Sequence, residues 1–160
     1  WLDINYGNYP YVTSSNTRPY GACSLGFAPQ YIKTIYGAAK IYDTRVGLDT
    51  GFPESLLTEK ELKQIATAGE EYGVTTGRPR KANWLNVDKL VKAVNISGTT
   101  KLVISKVDVL EKVQLFRFIY HNTIKKCDTL EAMKQELIQI LMGECKFLSD
   151  IIFSDNPYGI

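Results

Sequence analysis

Thr75-Thr76-Gly77-Arg78-Pro79-Arg80-Lys81 sets adjacent hydroxyls, a glycine pivot and three cations side by side. The segment has no apolar periodicity, so it reads as a loop rather than a core element. Its chemistry is anion grip. A planar guanidinium holds a carboxylate or phosphate bidentately, and Thr hydroxyls and loop N–H groups fill the remaining acceptor sites. A solvated basic surface loop is the plainer alternative. Thr13-Ser14-Ser15-Asn16-Thr17 is an unbroken run of small polar side chains. It can donate to a phosphate, or it can be a turn that solvates itself. Thr44-Arg45-Val46-Gly47 ends a β-type run at a glycine, which lets backbone approach a ligand closely. Ser105-Lys106-Val107-Asp108 follows the apolar run Leu102-Val103-Ile104. A carboxylate there can accept from both the ring N–H and the exocyclic amine of guanine, with the Lys stem along the purine face. A surface ion pair is the alternative.

Other residues that draw the eye point to packing. His121, the only histidine, follows an aromatic run and reads as a surface or capped residue. Trp84-Leu85 reads as core or as a hydrophobic staple. Cys23, Cys127 and Cys145 are odd in number and lack metal-type spacing, which fits free packing thiols and a reducing compartment, the cytoplasm. A net charge of +2 implies no nucleic-acid-binding field. No apolar run is long enough to span a membrane.

These groups need elements to position them. A chain of 160 residues is normally one domain. Residues 8–27, rich in Asn, Ser, Thr, Gly and Pro, read as a long loop. Pro29 suits the first position of a helix, with Ile32, Ile35, Tyr36 and Ala39 at helical spacing. Tyr42–Val46 reads as a strand. Thr58 with Glu61 forms a capping box for a helix with Leu62, Ile65 and Ala66 on one face, closed by Gly69. Asn86 caps a helix carrying Val87, Leu90, Val91 and Val94. Lys101–Leu110 and Val113–Tyr120 read as adjacent strands. Asp128 and Glu131 open a helix with Leu130, Met133, Leu137 and Leu141 on one stripe and Gly143 at its end. Phe147–Phe153 reads as a last strand. The alternation predicts an α/β fold: a central, at least partly parallel sheet flanked by helices. Ligand loops in such sheets follow the carboxyl ends of strands, here after Val46, Ile104 and Phe153.

As an ordered set the weak signals become specific. Leu2-Asp3-Ile4-Asn5-Tyr6-Gly7, Tyr9-Pro10-Tyr11-Val12-Thr13-Ser14-Ser15-Asn16-Thr17, Thr44-Arg45-Val46-Gly47 and Phe52-Pro53-Glu54 resemble the adenylosuccinate synthetase family. So do Glu71-Tyr72-Gly73-Val74-Thr75-Thr76-Gly77-Arg78-Pro79-Arg80, Trp84-Leu85 and Ser105-Lys106-Val107-Asp108-Val109-Leu110. Order and approximate spacing match from residue 1 to about residue 118. The tail from Asp128 is similar only in its pattern of helix then strand.

The resemblance implies a ligase that joins L-aspartate to IMP with GTP and Mg²⁺, in AMP biosynthesis, as a homodimer when full length. The γ-phosphoryl group moves to the 6-oxygen of IMP, and the aspartate amine then displaces phosphate. Such transfer needs positioning and charge neutralisation above all. By resemblance, Thr13 and Ser14 bind the IMP 5′-phosphate, and Val46 and Gly47 border its ribose. Thr75, Thr76 and Arg78 close on the aspartate substrate. Arg80 lies towards the GTP ribose and phosphates, Lys106 and Asp108 read guanine, and Ser154 keeps a contact to the base.

The departures matter too. The family's glycine-rich phosphate loop, its catalytic aspartate and histidine and its Mg²⁺ site have no counterparts here. The chain begins at Trp1 in what reads as a strand. Residues 1–160 are therefore expected to be a C-terminal half, a fragment that does not catalyse the reaction alone. Pro79 replaces a basic residue of some relatives and stiffens the loop. Two alternatives stay open, the first kept by the short segment after Val113–Tyr120 and by Asp155 where the family has glycine. One is a viral-type relative that joins aspartate to dGMP, and the other a non-catalytic nucleotide-binding remnant.

Overall fold

A computed structural model describes residues 1–47, 49–73 and 77–155. In chain order the elements are α1 (Tyr20–Ser24), β1 (Tyr36–Lys40), β2 (Tyr42–Arg45), α2 (Lys60–Ala68), β3 (Lys81–Asn86) and α3 (Val87–Ser97). There follow β4 (Lys101–Ser105), α4 (Val107–Val113), β5 (Arg117–Tyr120), β6 (Thr123–Lys126), α5 (Leu130–Glu144) and β7 (Asp150–Ser154).

The fold is α/β, as expected. Two sheets share the core. The first is wholly parallel, in the order β1-β4-β7. Its middle strand buries Leu102, Val103 and Ile104 in succession, the pattern of a strand covered on both faces. The second sheet has the order β2-β3-β5-β6, with β3 and β5 parallel and the outer pairs antiparallel. Ile41, fully buried, joins them: its N–H still bonds Ser105 of β4 at 3.0 Å while the next residue opens β2. The chain thus passes between sheets without a loop.

Helix ends follow their chemistry in part. Asn86 caps α3, its Oδ1 accepting from the Lys89 N–H at 2.9 Å, and Gly98 closes it at φ 66°. Leu62 and Ile65 bury one face of α2, which ends at Gly69. A Cβ at Gly69 would stand 2.3 Å from the Tyr42 hydroxyl, so no larger residue fits without movement. The expected capping box is absent. Thr58 instead donates to the Ser55 carbonyl at 2.9 Å, and Glu61 turns outward to Arg117, with Oε1 2.8 Å from Nη2. In α5, Met133, Leu137 and Leu141 form the buried stripe, Thr129 caps the start, and Gly143 lies inside rather than beyond the helix.

Several expected elements differ. Residues 29–39 are not a helix: Pro29–Tyr31 makes a 3₁₀ turn and β1 follows. Backbone pairing with β4 from Ile35 onward outweighs the local helical spacing. The expected strand Lys101–Leu110 stops at Ser105, because Lys106 takes a left-handed conformation (φ 66°) and starts α4. Val113–Tyr120 shortens to β5 and lies in the other sheet, not beside β4. β7 begins at Asp150, and the residues around Trp1 are turns rather than a strand. The loop read over 8–27 contains the short α1. β3, unforeseen, carries Trp84 and Leu85 into the core.

Candidate functional site

The parallel sheet ends in one row of polar residues. Lys40 of β1 pairs in register with Ser105 of β4, and Ser105 with Ser154 of β7. Lys106 and Asp108 follow directly. This is the carboxyl end of the sheet, where α/β folds bind ligands. The turn at Lys106 keeps its ammonium near the sheet, 3.0 Å from the Gly69 carbonyl. Asp108 lies in the first turn of α4, its Oδ2 2.9 Å from Lys112 Nζ. That exposed pair matches the plainer sequence reading, and such a pair holds a carboxylate only weakly. Ser154 is buried.

The basic loop reaches the same end through its stem. Thr75 and Thr76 lie outside the described residues. Gly73 N–H bonds the Arg78 carbonyl at 2.8 Å, Gly77 N–H the Gly73 carbonyl at 2.7 Å, and Arg80 N–H the Glu71 carbonyl at 2.9 Å. Tyr72 and Pro79 form the bridge between the two arms. Pro79 has no N–H to give, and the stem needs none from it, since its neighbours supply the bonds. Gly77 takes φ 63°, a conformation glycine adopts without strain. Arg78 is exposed at the loop.

Sequence reasoning missed Glu71. Its carboxylate is almost fully buried and takes four bonds from three donors. Lys40 Nζ lies 2.8 Å from both oxygens, Tyr42 Oη 2.8 Å from Oε1, and Arg80 Nη1 3.2 Å from Oε2. Burial alone would raise its pKa. The hydrogen bonds from Lys40 and Tyr42, with the charges of Lys40 and Lys106, outweigh that and hold it below the usual range. The signal available in the sequence was its register: Glu71 faces Arg80 across the loop stem.

The Thr13 loop is organised by Asp3, also unforeseen. Asp3 is buried; its Oδ2 accepts from the Thr17 N–H at 2.8 Å and its Oδ1 from the Asn5 N–H at 2.9 Å, and Arg18 Nε lies 3.6 Å away. Gly7 completes the turn, for a Cβ there would meet the Trp1 and Asp3 carbonyls at 2.3 and 2.7 Å. Thr13 and Ser15 hydroxyls face each other at 3.3 Å, and Ser14 is exposed. Arg45 ties this loop to the segment after β2. Its guanidinium bonds the Tyr11 carbonyl and pairs with Asp49 at 2.7 Å, and Asn8 also bonds Asp49 at 3.0 Å. Val46 and Gly47, the latter at φ 75° with open space at its Cβ position, follow directly. The structure thus joins the Thr13 loop with the segment before Val46-Gly47 through Arg45, and Arg80 with Lys40 through Glu71, while Lys106 and Asp108 follow β4 and Ser154 ends β7.

Asp3 carries a pH signature. The Thr17 N–H, first, and then the Asn5 N–H and Arg18 lower its pKa from the ordinary 3.8. A depressed carboxylate stabilises the fold above the unfolded value and loses that contribution as pH falls through the folded one. Acid unfolding below about pH 4 should therefore flatten in Asp3→Asn, as followed by circular dichroism. An unchanged acid transition in that variant would remove Asp3 as the clamp.

The remaining candidates are structural. His121 stands in the two-residue turn between β5 and β6, exposed, with Nδ1 3.1 Å from Asp88 Oδ1. Burial pushes the Cys127 and Cys145 thiols up to about 11, so both are protonated packing groups at neutral pH. A cavity of about 590 Å³ lies beside the Asp3 clamp, lined by Asp3, Thr17, Arg18, Tyr36 and Leu90 among others, and not by Lys106 or Asp108. Among the described residues no three His, Cys, Asp or Glu side chains converge as a metal site, and no helix is long and apolar enough to cross a membrane.

The chain is 43% identical over 145 residues to the adenylosuccinate synthetase of Thermodesulfovibrio yellowstonii, covering 88% of this chain and 32% of the relative. It is 39% identical over 142 residues to that of Paramecium tetraurelia, covering 87% and 32%. The fold superposes on fully ligated adenylosuccinate synthetase from Plasmodium falciparum with TM-score 0.70 and 25% identity, over 98% of this chain and 46% of that one. The chain thus spans about a third of the length of these curated relatives. The family model for adenylosuccinate synthetase matches residues 1–141. With the motifs in order and the fold in agreement, the chain belongs to the adenylosuccinate synthetase family.

Proposed function

We propose that this chain forms the C-terminal part of a cytoplasmic, homodimeric enzyme that ligates L-aspartate to IMP at the expense of GTP, giving adenylosuccinate. The observation that carries the reading is the convergence of Lys40, Arg80 and Lys106 around Glu71 at the carboxyl end of β1-β4-β7, with Asp108 two residues past Lys106 in the first turn of α4. A nucleoside triphosphate needs several cations for its phosphates and, if the base is guanine, a carboxylate for its donors. Thr13, Ser14, Val46 and Gly47 would hold IMP, and Thr75, Thr76 and Arg78 the aspartate. Arg80, Lys106, Asp108 and Ser154 would hold GTP. Magnesium, when bound, neutralises phosphoryl charge. The described residues of this chain do not converge to hold it, so no role is assigned to them in that chemistry.

The test is a chimaera in which residues 1–141 replace the matching part of the Thermodesulfovibrio yellowstonii enzyme. It should form adenylosuccinate from IMP, aspartate and GTP, whereas the chain alone should not. A folded chimaera that binds IMP but gives no product would refute the reading, and product from the chain alone would refute the division of labour. dGMP in place of IMP, supporting turnover where IMP does not, would replace the acceptor.

A further inference from the structure

We propose that Glu71 is a positioning residue for the phosphate end of the nucleotide site, holding Arg80 and Lys40 as an oriented pair that faces the triphosphate. The inference rests on the nucleotide reading above and extends it to a residue that would touch no ligand. Glu71 has its side chain 2% exposed, while Lys40 and Arg80 keep 27% and 30%. The carboxylate is thus sealed beneath two cations that remain partly open to solvent.

The geometry explains why a carboxylate is needed. One oxygen accepts from Lys40 and Tyr42, and the other from Lys40 and Arg80. Lys40 is fixed further by the Thr44 hydroxyl at 3.1 Å. Arg80 has no other described side-chain bond of this kind, so its direction depends on Glu71. Both belong to the loop stem, where the Arg80 N–H already bonds the Glu71 carbonyl. The stem is moored to the base end by Lys106 on the Gly69 carbonyl. Three cations, Lys40, Arg80 and Lys106, surround one buried anion, so positive charge remains in excess for a polyanion. Long cationic side chains lose rotamer freedom when they bind, and a prior partner removes that cost before the ligand arrives.

Glutamine at position 71 offers one acceptor and one donor. With its oxygen kept on Lys40 and Tyr42, its amide N–H₂ would face the Arg80 guanidinium, donor against donor. Glu71→Gln should therefore release Arg80 while retaining the shape of the cluster.

The experiment titrates the full chain with GTP and, separately, with guanosine, which carries the base without phosphates. Glu71→Gln should weaken GTP binding about tenfold, as expected for one charge-assisted hydrogen bond, and leave guanosine binding unchanged. In an Arg80→Ala background the same substitution should add no further loss, because the effect passes through Arg80. Equal weakening of GTP and guanosine, losses that add in the double variant, or no loss of GTP affinity would each overturn the proposal. Should Glu71→Gln unfold by circular dichroism, Glu71→Asp keeps the charge but withdraws it by one methylene, and a loss confined to GTP is again expected. If the unsubstituted chain binds neither ligand, or binds both equally, the nucleotide reading itself fails, and the inference with it.

Discussion

In the chimaera, Arg78→Ala should lower kcat/KM for aspartate about 100-fold, the loss expected when a bidentate, charge-assisted pair of roughly 3 kcal/mol is removed. The KM for GTP should stay unchanged, because the proposed base and phosphate contacts lie on other residues. The backbone at Arg78 is held by the Gly73 N–H, a bond that truncation of the side chain retains. Steady-state kinetics with aspartate varied at saturating IMP and GTP provides the measurement. Arg78→Lys should recover little, since a point charge lacks the planar fork. An aspartate dependence equal to that of the unsubstituted chimaera would take Arg78 out of the substrate site.

Asp108→Asn should blunt the preference for GTP over ATP by about ten- to a hundredfold, equivalent to roughly 1.5–3 kcal/mol. Guanine presents two donors along one edge. A carboxylate accepts both, whereas a carboxamide meets one of them with its own N–H₂. Adenine lacks those donors, so ATP use suffers less. The pair with Lys112 supplies a control. It is an exposed contact one helical turn apart, so Lys112→Ala should leave both stability and nucleotide preference nearly unchanged. Strict GTP use retained by Asp108→Asn would remove Asp108 from base reading.

Much of the fold is legible in the linear sequence. Asn86 as a cap, the stripe Met133-Leu137-Leu141, the buried run Leu102-Val103-Ile104 and the α/β alternation all rest on contacts within a few residues or on period, which a linear string carries. Residues 29–39 misled for the opposite reason. Their helical spacing is local, but Gly37, Ala38 and Ala39 pair with Leu102, Val103 and Ile104 far along the chain. β3 was hidden in the same way: Trp84 and Leu85 showed as apolar, yet only pairing with β2 and β5 makes them a strand.

The candidate site divides along the same line. By itself the sequence determined which chemistry is present: hydroxyl-rich and guanidinium-rich loops, a glycine stop after a strand and a Lys-x-Asp segment. Their order established the family. Only the tertiary structure decided how they are held. Asp3 and Glu71 stand within the family-like motifs, but the string does not show that their carboxylates are buried or which donors they meet. Folding buries each carboxylate, and a buried charge must be satisfied by every donor within reach. The partners come from distant points: Thr17 and Arg18 close on Asp3, and Lys40, Tyr42 and Arg80 on Glu71. Burial and convergence are properties of three dimensions, and they turned two unremarked acids into the clamps of the two loops.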